Sequence, residues 1–151
     1  MHTALTTETA RAATGRICRF YETLTPQSLS QIADLYTADA RFKDPFNEVR
    51  GHAAIAHIFE HMFANLHQPR FVVTQRIVDG AQVFLVWEFR FRFQRFDSRT
   101  EQVIHGGSHL QLAEDGRITD HRDYWDAAEE LYEKLPLVGA LMRYLKRRAQ
   151  T

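Results

Sequence analysis

One cysteine, four prolines and seven glycines are all that this 151-residue chain carries of those types. A lone thiol, Cys18, cannot build an internal disulfide framework, and it excludes a thiolate zinc site. Net charge is missing too, since 19 Lys and Arg balance 19 Asp and Glu. Without a basic excess there is no field to steer nucleic acid or an anionic membrane, so neither is expected as a partner. No apolar run approaches the roughly 18 residues of a membrane helix. The opening MHTALTTETARAATG lacks the apolar centre of a secretory leader. What the chain does have is 44% apolar residues, enough to fill one core at this length. The expectation is a cytoplasmic globular protein with a single domain over residues 1–151, free of repeats and linkers.

Hydrophobic spacing divides the chain into helices first and strands afterwards. Ala13, Ile17, Phe20, Tyr21 and Leu24 form one face of a helix. Thr25-Pro26 predicts a second helix, with threonine as N-cap and a stripe of Leu29, Ile32, Ala33 and Tyr36. Residues 41–46 alternate as a short strand, and Gly51 precedes a third helix burying Ile55, Ile58, Phe59, Met62 and Leu66. From Arg70 the period becomes two. Strands are predicted over 71–78, 81–96, 100–112 and 117–125, with turns at Asp79-Gly80, Asp97-Ser98 and Glu114-Asp115-Gly116. Asp126-x-x-Glu129 is a helix-start pattern. Pro136 opens a final amphipathic helix through Leu137, Leu141 and Leu145, and its basic end suits the helix dipole. This order predicts an α+β fold, with helices packed on a strongly curved, mostly antiparallel sheet.

Several positions carry possible chemistry. Asp44 shares its strand face with Phe42 and Phe46, a setting that would desolvate a carboxylate and suit a general base. Asp44-Pro45 also reads as a plain turn at the strand's end. In the last strand His121, Asp123 and Trp125 share a face, as an acid–base pair or as an ordinary hydrogen-bonded pair. Ser108 points inward with Ile104, Leu110 and Leu112, and a four-residue turn would set it opposite His121; a three-residue turn would set His109 there. His57-x-x-Glu60-His61 matches a zinc-peptidase pattern but lies opposite the apolar stripe, so no metal is expected. The run 87–96 interleaves aromatics with arginines. Alternation accounts for it, with Val83, Leu85, Trp87, Phe89, Phe91 and Phe93 inside and Glu88, Arg90 and Arg92 outside, where they offer a subunit interface.

Two stretches, Tyr36-Thr-Ala-Asp-Ala-Arg-Phe-Lys-Asp-Pro-Phe46 followed by Gly51, and Glu114-Asp-Gly-Arg-Ile-Thr-Asp-His-Arg-Asp-Tyr-Trp125, resemble the ketosteroid-isomerase-like superfamily. That group is also called nuclear transport factor 2-like or SnoaL-like. The resemblance covers about residues 8–126 and leaves 127–148 as a C-terminal helical extension. It implies a cone-shaped α+β barrel with an apolar pocket, and a homodimer formed through the outer sheet face. Asp44 is similar to the isomerase aspartate that moves a proton, and Tyr36 to a tyrosine of its supporting network. The oxyanion donors do not carry over: Phe20 stands at the donor tyrosine's place and Ser108 at the protonated aspartate's. Asp123 resembles the last-strand aspartate of epoxide-hydrolase-like and polyketide-cyclase-like members. The Arg and Asp that epoxide hydrolysis needs on an inner strand are replaced by Trp87, Phe89 and Phe91. Neither steroid isomerisation nor epoxide hydrolysis is therefore expected.

The expectation drawn from all this is a pocket for a small apolar molecule. Phe20, Tyr36, Phe42, Phe46, Trp87, Phe89, Ser108 and Trp125 would line it, and Asp44, Asp123 and His121 would transfer protons without a cofactor. The alternative is a non-catalytic binding module for a small hydrophobic ligand.

Overall fold

A computed structural model describes residues 4–95, 97–132 and 136–150. Helix α1 (Thr7–Glu22) is capped by Thr6, whose hydroxyl accepts the Thr9 amide, and it buries Ala10, Ala13, Ile17 and Tyr21. The expected second helix is much shorter than its stripe suggests. Thr25 and Ser28 exchange side-chain and backbone hydrogen bonds, and a 3₁₀ turn (Gln27–Gln31) leads into a single turn, α2 (Ile32–Leu35). Tyr36 therefore does not end a helix. It opens β1 (Tyr36–Lys43), five residues earlier than the alternation starting at Arg41 predicts.

A tight turn returns the chain along β2 (Glu48–Arg50), and α3 (His52–Asn65) follows Gly51, whose φ of 89° favours glycine. Four long strands come next: β3 (Leu66–Asp79), β4 (Gln82–Phe93), β5 (Gln102–Leu112) and β6 (Ile118–Tyr124). The first of them begins at Leu66, which α3 was expected to bury. Asp126 accepts the amides of Ala128 and Glu129 at the start of α4 (Ala127–Glu130), and α5 spans Pro136–Ala149. Leu141 and Leu145 of α5 are exposed. Phe96, expected to end a strand, and the side chain of Leu137 lie outside the described residues. No helix among the described residues is long and apolar enough to cross a membrane.

The six strands form one sheet in the order β2-β1-β6-β5-β4-β3. All neighbours are antiparallel except β1 and β6, so the chain's first and last long strands lie side by side and parallel. That pairing puts Phe42 next to His121. Helices α1 and α3 cover the face carrying Leu85, Trp87, Ile104, Leu110, His121 and Phe42, and the core lies between. On the other face Arg90 is spent on Glu88 and Glu101, at 2.7 and 2.9 Å.

Two adjacent glycines on β5 let large rings cross the sheet. Trp87 is the cross-strand partner of Gly106, and a Cβ there would lie 2.4 Å from the indole. On the opposite face Phe84 covers Gly107 in the same way, at 2.7 Å. Because the Trp87 indole is buried and hydrogen-bonded, it has little freedom to withdraw. Gly106→Ala should therefore cost about 1–3 kcal/mol by overpacking. Urea unfolding checks this, with Gly80→Ala, at a turn where a Cβ meets nothing but φ is 57°, as a backbone-strain comparison.

Candidate functional site

His121 and Asp123 lie two residues apart on β6 and so share the face turned toward the helices. Their pairing partners on β5 differ from both predicted registers. Leu110 faces His121, and Ser108 faces Asp123. Leu112 pairs with Ile118 and Gln111 with Asp120, so a bulge at Thr119 and a longer turn slide β6 by two residues. The slide brings Ser108 directly onto the carboxylate.

A chain of short hydrogen bonds then crosses the interior. Trp87 Nε1 donates to Ser108 Oγ at 2.8 Å, and Ser108 Oγ donates to Asp123 Oδ1 at 2.5 Å. His121 Nε2 lies 2.6 Å from the same Oδ1, and its Nδ1 lies 2.6 Å from Tyr36 Oη. Tyr36 Oη is in turn bonded to Tyr21 Oη. The donors can be ordered from chemistry alone. An indole N–H only donates, so the Ser108 proton must go to the carboxylate. A His121 proton on Nε2 serves Asp123 and leaves Nδ1 to accept the Tyr36 hydroxyl, while Tyr21 donates to Tyr36. Every donor finds an acceptor. Two arms thus converge on one oxygen, and Asp123 Oδ2 has no partner among the described residues.

The space in front of Asp123 is bounded by Tyr21, Phe59, Phe71 and Trp87, with Val73 and Leu85 completing the wall. Its volume is about 30 Å³, room for two or three waters rather than for a steroid. Asp123 also borders an open groove formed with Lys43, Pro45, Arg122 and Trp125, and its side chain is 17% exposed. The carboxylate therefore stands at the boundary between a small aromatic chamber and solvent.

Of the expected site residues, His121, Asp123, Ser108 and Trp87 meet at this chamber. Tyr36 and Phe42 stand behind His121, the latter with ring centroids 4.5 Å apart. The other placements are corrections. Asp44 does not point inward: its Oδ1 accepts the amides of Phe46 and Asn47, each at 2.7 Å, and holds the β1–β2 turn. The strand ends at Lys43, so alternation no longer orients Asp44, and the Asp-Pro turn reading describes it. Phe46 is 52% exposed and packs on Trp125 at the groove rather than lining the chamber. Phe89 stacks on Phe71 and Phe91, outside the wall. Phe20 turns toward the groove between α1 and α2. His57, Glu60 and His61 are exposed on the outer side of α3.

Tyr21, Phe59 and Phe71 were not among the expected lining residues. A signal for Tyr21 existed, since it lies one turn beyond Ile17 and puts a hydroxyl on an apolar stripe. Burial raises both phenol pKa values well above the ordinary range. For Tyr21 the bond to Tyr36 opposes this and the nearby Asp123 charge adds to it. For Tyr36 the charge and hydrogen bond of Tyr21 and the negative charge of Asp123 add to burial.

These facts place the chain among known proteins. The sequence profile of the SnoaL-like domain matches residues 17–121. The chain belongs to the SnoaL-like domain family. Among curated proteins none matches its sequence significantly. Among solved structures, a protein of Jannaschia sp. CCS1 assigned to the SnoaL-like polyketide cyclases superposes with a TM-score of 0.69 at 14% identity, over 85% of this chain and 93% of that one. A protein of ketosteroid isomerase-like fold from Catenulispora acidiphila, solved in complex with trimethylamine, gives 0.67 at 16% identity, over 79% and 88%. An LEH-like epoxide hydrolase from M. tuberculosis gives 0.66 at 17% identity, over 92% and 97%. At such identities the likeness establishes the SnoaL-like fold.

The buried phenols bear on stability in alkali. An unfolded tyrosine ionises near pH 10, whereas Tyr21 and Tyr36 stay protonated in the fold. Their contribution is complete below about pH 10 and falls above it by about 1.4 kcal/mol per pH unit for each phenol. Tyr21→Phe should remove one such share from the slope of unfolding free energy between pH 10 and 11. Separately, Asp44→Ala should cost about 1–2 kcal/mol, as loss of a helix cap does, because two turn amides lose their acceptor. Chemical denaturation measures both effects.

Proposed function

We propose that this SnoaL-like protein catalyses cofactor-free proton transfer at a carbon next to a carbonyl, as an isomerase or cyclase does, with Asp123 as the base. The observation that carries the reading is the division of labour within one carboxylate. Oδ1 takes the two protein donors, while Oδ2 has no partner among the described residues, and the residue lines the chamber. Asp123 Oδ2 takes the proton, the C–H electron pair moves into the enolate, and the same carboxyl returns the proton to carbon. His121 and Ser108 hold the carboxylate in place; Tyr36 orients His121 from behind. The enolate oxygen is met by Tyr21 Oη, which exchanges its bond to Tyr36 for one to the substrate. Tyr21 thus takes the part that Phe20 was expected to leave vacant. Asp44 has no part in the reaction, because its acceptor oxygens serve the turn.

A second reading, a non-catalytic binding module for a small ligand, draws on the chamber's volume of about 30 Å³. The Catenulispora acidiphila protein in complex with trimethylamine supports it as a small-molecule precedent for this fold.

Exchange of α-protons for deuterium in small ketones (acetone, butanone, cyclopentanone) tests the proposal by ¹H NMR without knowledge of the natural substrate. The wild-type chain should accelerate exchange over buffer for at least one of them. Asp123→Asn should lower the enzymatic rate by about 100-fold or more, in the range of a lost general base. Tyr21→Phe should also lower it by about 100-fold, and Asp44→Asn should leave it within about twofold. Equal rates for the folded wild-type and Asp123→Asn chains would remove the base assignment and leave the binding reading.

A further inference from the structure

The charge of the chamber is unbalanced. Asp123 accepts from Ser108 and His121, and neither donor brings a positive charge when Nδ1 of His121 is the acceptor for Tyr36. An extra proton on Nδ1 would reverse the phenol chain and turn the Tyr21 hydroxyl out of the network. The satisfied arrangement is the neutral imidazole beside the carboxylate. No lysine or arginine lines the chamber among the described residues. Two basic side chains of the adjoining groove are engaged with other residues: Arg122 stacks on Tyr124 at 4.8 Å, and Lys43 pairs with Glu48 at 3.3 Å. One negative charge therefore stands at the end of the chamber, and the cations next to it lie on the groove side.

What surrounds that charge is a set of rings in mutual contact. Tyr21 meets Phe59 and Phe71, each at 5.8 Å between centroids, and Phe71 meets Trp87 edge to face at 5.7 Å. Aromatic faces attract cations, most strongly where water is excluded, and a carboxylate in the same chamber adds its own attraction. The space limits the guest to a few heavy atoms.

We infer that the chamber binds a small monovalent alkylammonium group, with the charged nitrogen on Asp123 Oδ2 and its methyl groups among Tyr21, Phe71 and Trp87. This deepens the binding reading of the chamber and does not need turnover. The cation would occupy the place of the reacting carbon, and so would compete with ketone probes.

Isopropylammonium chloride and 2-propanol have the same heavy-atom count and differ in charge, which makes them the test pair. Titration of the wild-type chain, followed by the Trp87 indole N–H resonance, should show isopropylammonium binding at least tenfold tighter than 2-propanol. Isobutyrate should not bind. Asp123→Asn keeps the acceptor for Ser108 and His121, and should bring the cation and the alcohol within about twofold. Trp87→Phe, followed instead by the backbone amide resonances of Ser108 and Asp123, should weaken the cation severalfold with little effect on the alcohol. If Asp123→Asn does not fold, the wild-type order of cation, alcohol and carboxylate decides alone. Equal binding of cation and alcohol, binding of neither by the folded chain, or a preference that survives Asp123→Asn overturns the inference. Cation binding without ketone exchange would keep it and remove the base assignment; exchange without cation binding would do the reverse.

Discussion

Two donors on a single carboxylate oxygen set the rest of the chamber. For Ser108 and His121 to reach Asp123 Oδ1 together, β5 and β6 must pair in the slid register and β1 must lie parallel to β6. Only then does Tyr36, at the start of β1, reach His121 Nδ1. The hydrogen bonds that follow run outward from that point to Trp87 on one side and Tyr21 on the other. Each donor finds its acceptor among its neighbours, as a buried polar network must if it is not to cost more than an apolar core. Removing one member strands the next, so the geometry around Asp123 is held by five residues drawn from five elements. The carboxylate is positioned before any ligand arrives.

The glycine pair on β5 is part of the same constraint. Trp87 can lay its indole along the sheet only because Gly106 has no side chain, and that path carries Nε1 two residues onward to Ser108. A residue without chemistry of its own thus decides where a donor ends. Gly107, one step on, does the same for Phe84 on the opposite face, where the ring fills a gap instead of making a polar bond.

Much of this fold could be read from periodicity, because alternation and the 3.6-residue stripe are enforced by burial. The four long strands, their turns and the cap at Asp126 obey local rules. The failures came where tertiary pairing outranks local preference. Tyr36 fits a helical stripe with Leu29 and Ile32, yet its backbone joins β6 and its hydroxyl is needed by His121. In the site, His121, Asp123 and Ser108 were legible as one inward face, since strand geometry assigns faces even when register is unknown. Which of them met was not, because a single bulge at Thr119 changes every partner. Asp44 misled for a related reason: alternation was extended one residue past the strand's end, into a turn where the carboxylate has amides to serve. Tyr21 was visible as a helix-stripe residue, but two adjacent rings on one helix, Phe20 and Tyr21, diverge by about 100°, and only packing decides which enters the chamber.

Size and charge then narrow what such a chamber can take. A volume of about 30 Å³ admits the reacting end of a molecule, not its whole body. Asp123 borders the open groove as well, so a larger substrate has a place for its remainder beside Trp125, with the carboxylate at the junction. The aromatic wall treats two guests differently. An enolate placed there gains from a hydroxyl such as Tyr21 but is repelled by the carboxylate until that carboxylate has taken the proton. An ammonium group is attracted from the start and has no proton to give up at carbon. The same residues therefore favour a cation in the ground state and an enolate only after proton transfer. That difference, binding before chemistry against binding because of it, is what separates a module that holds its ligand from an enzyme that turns it over.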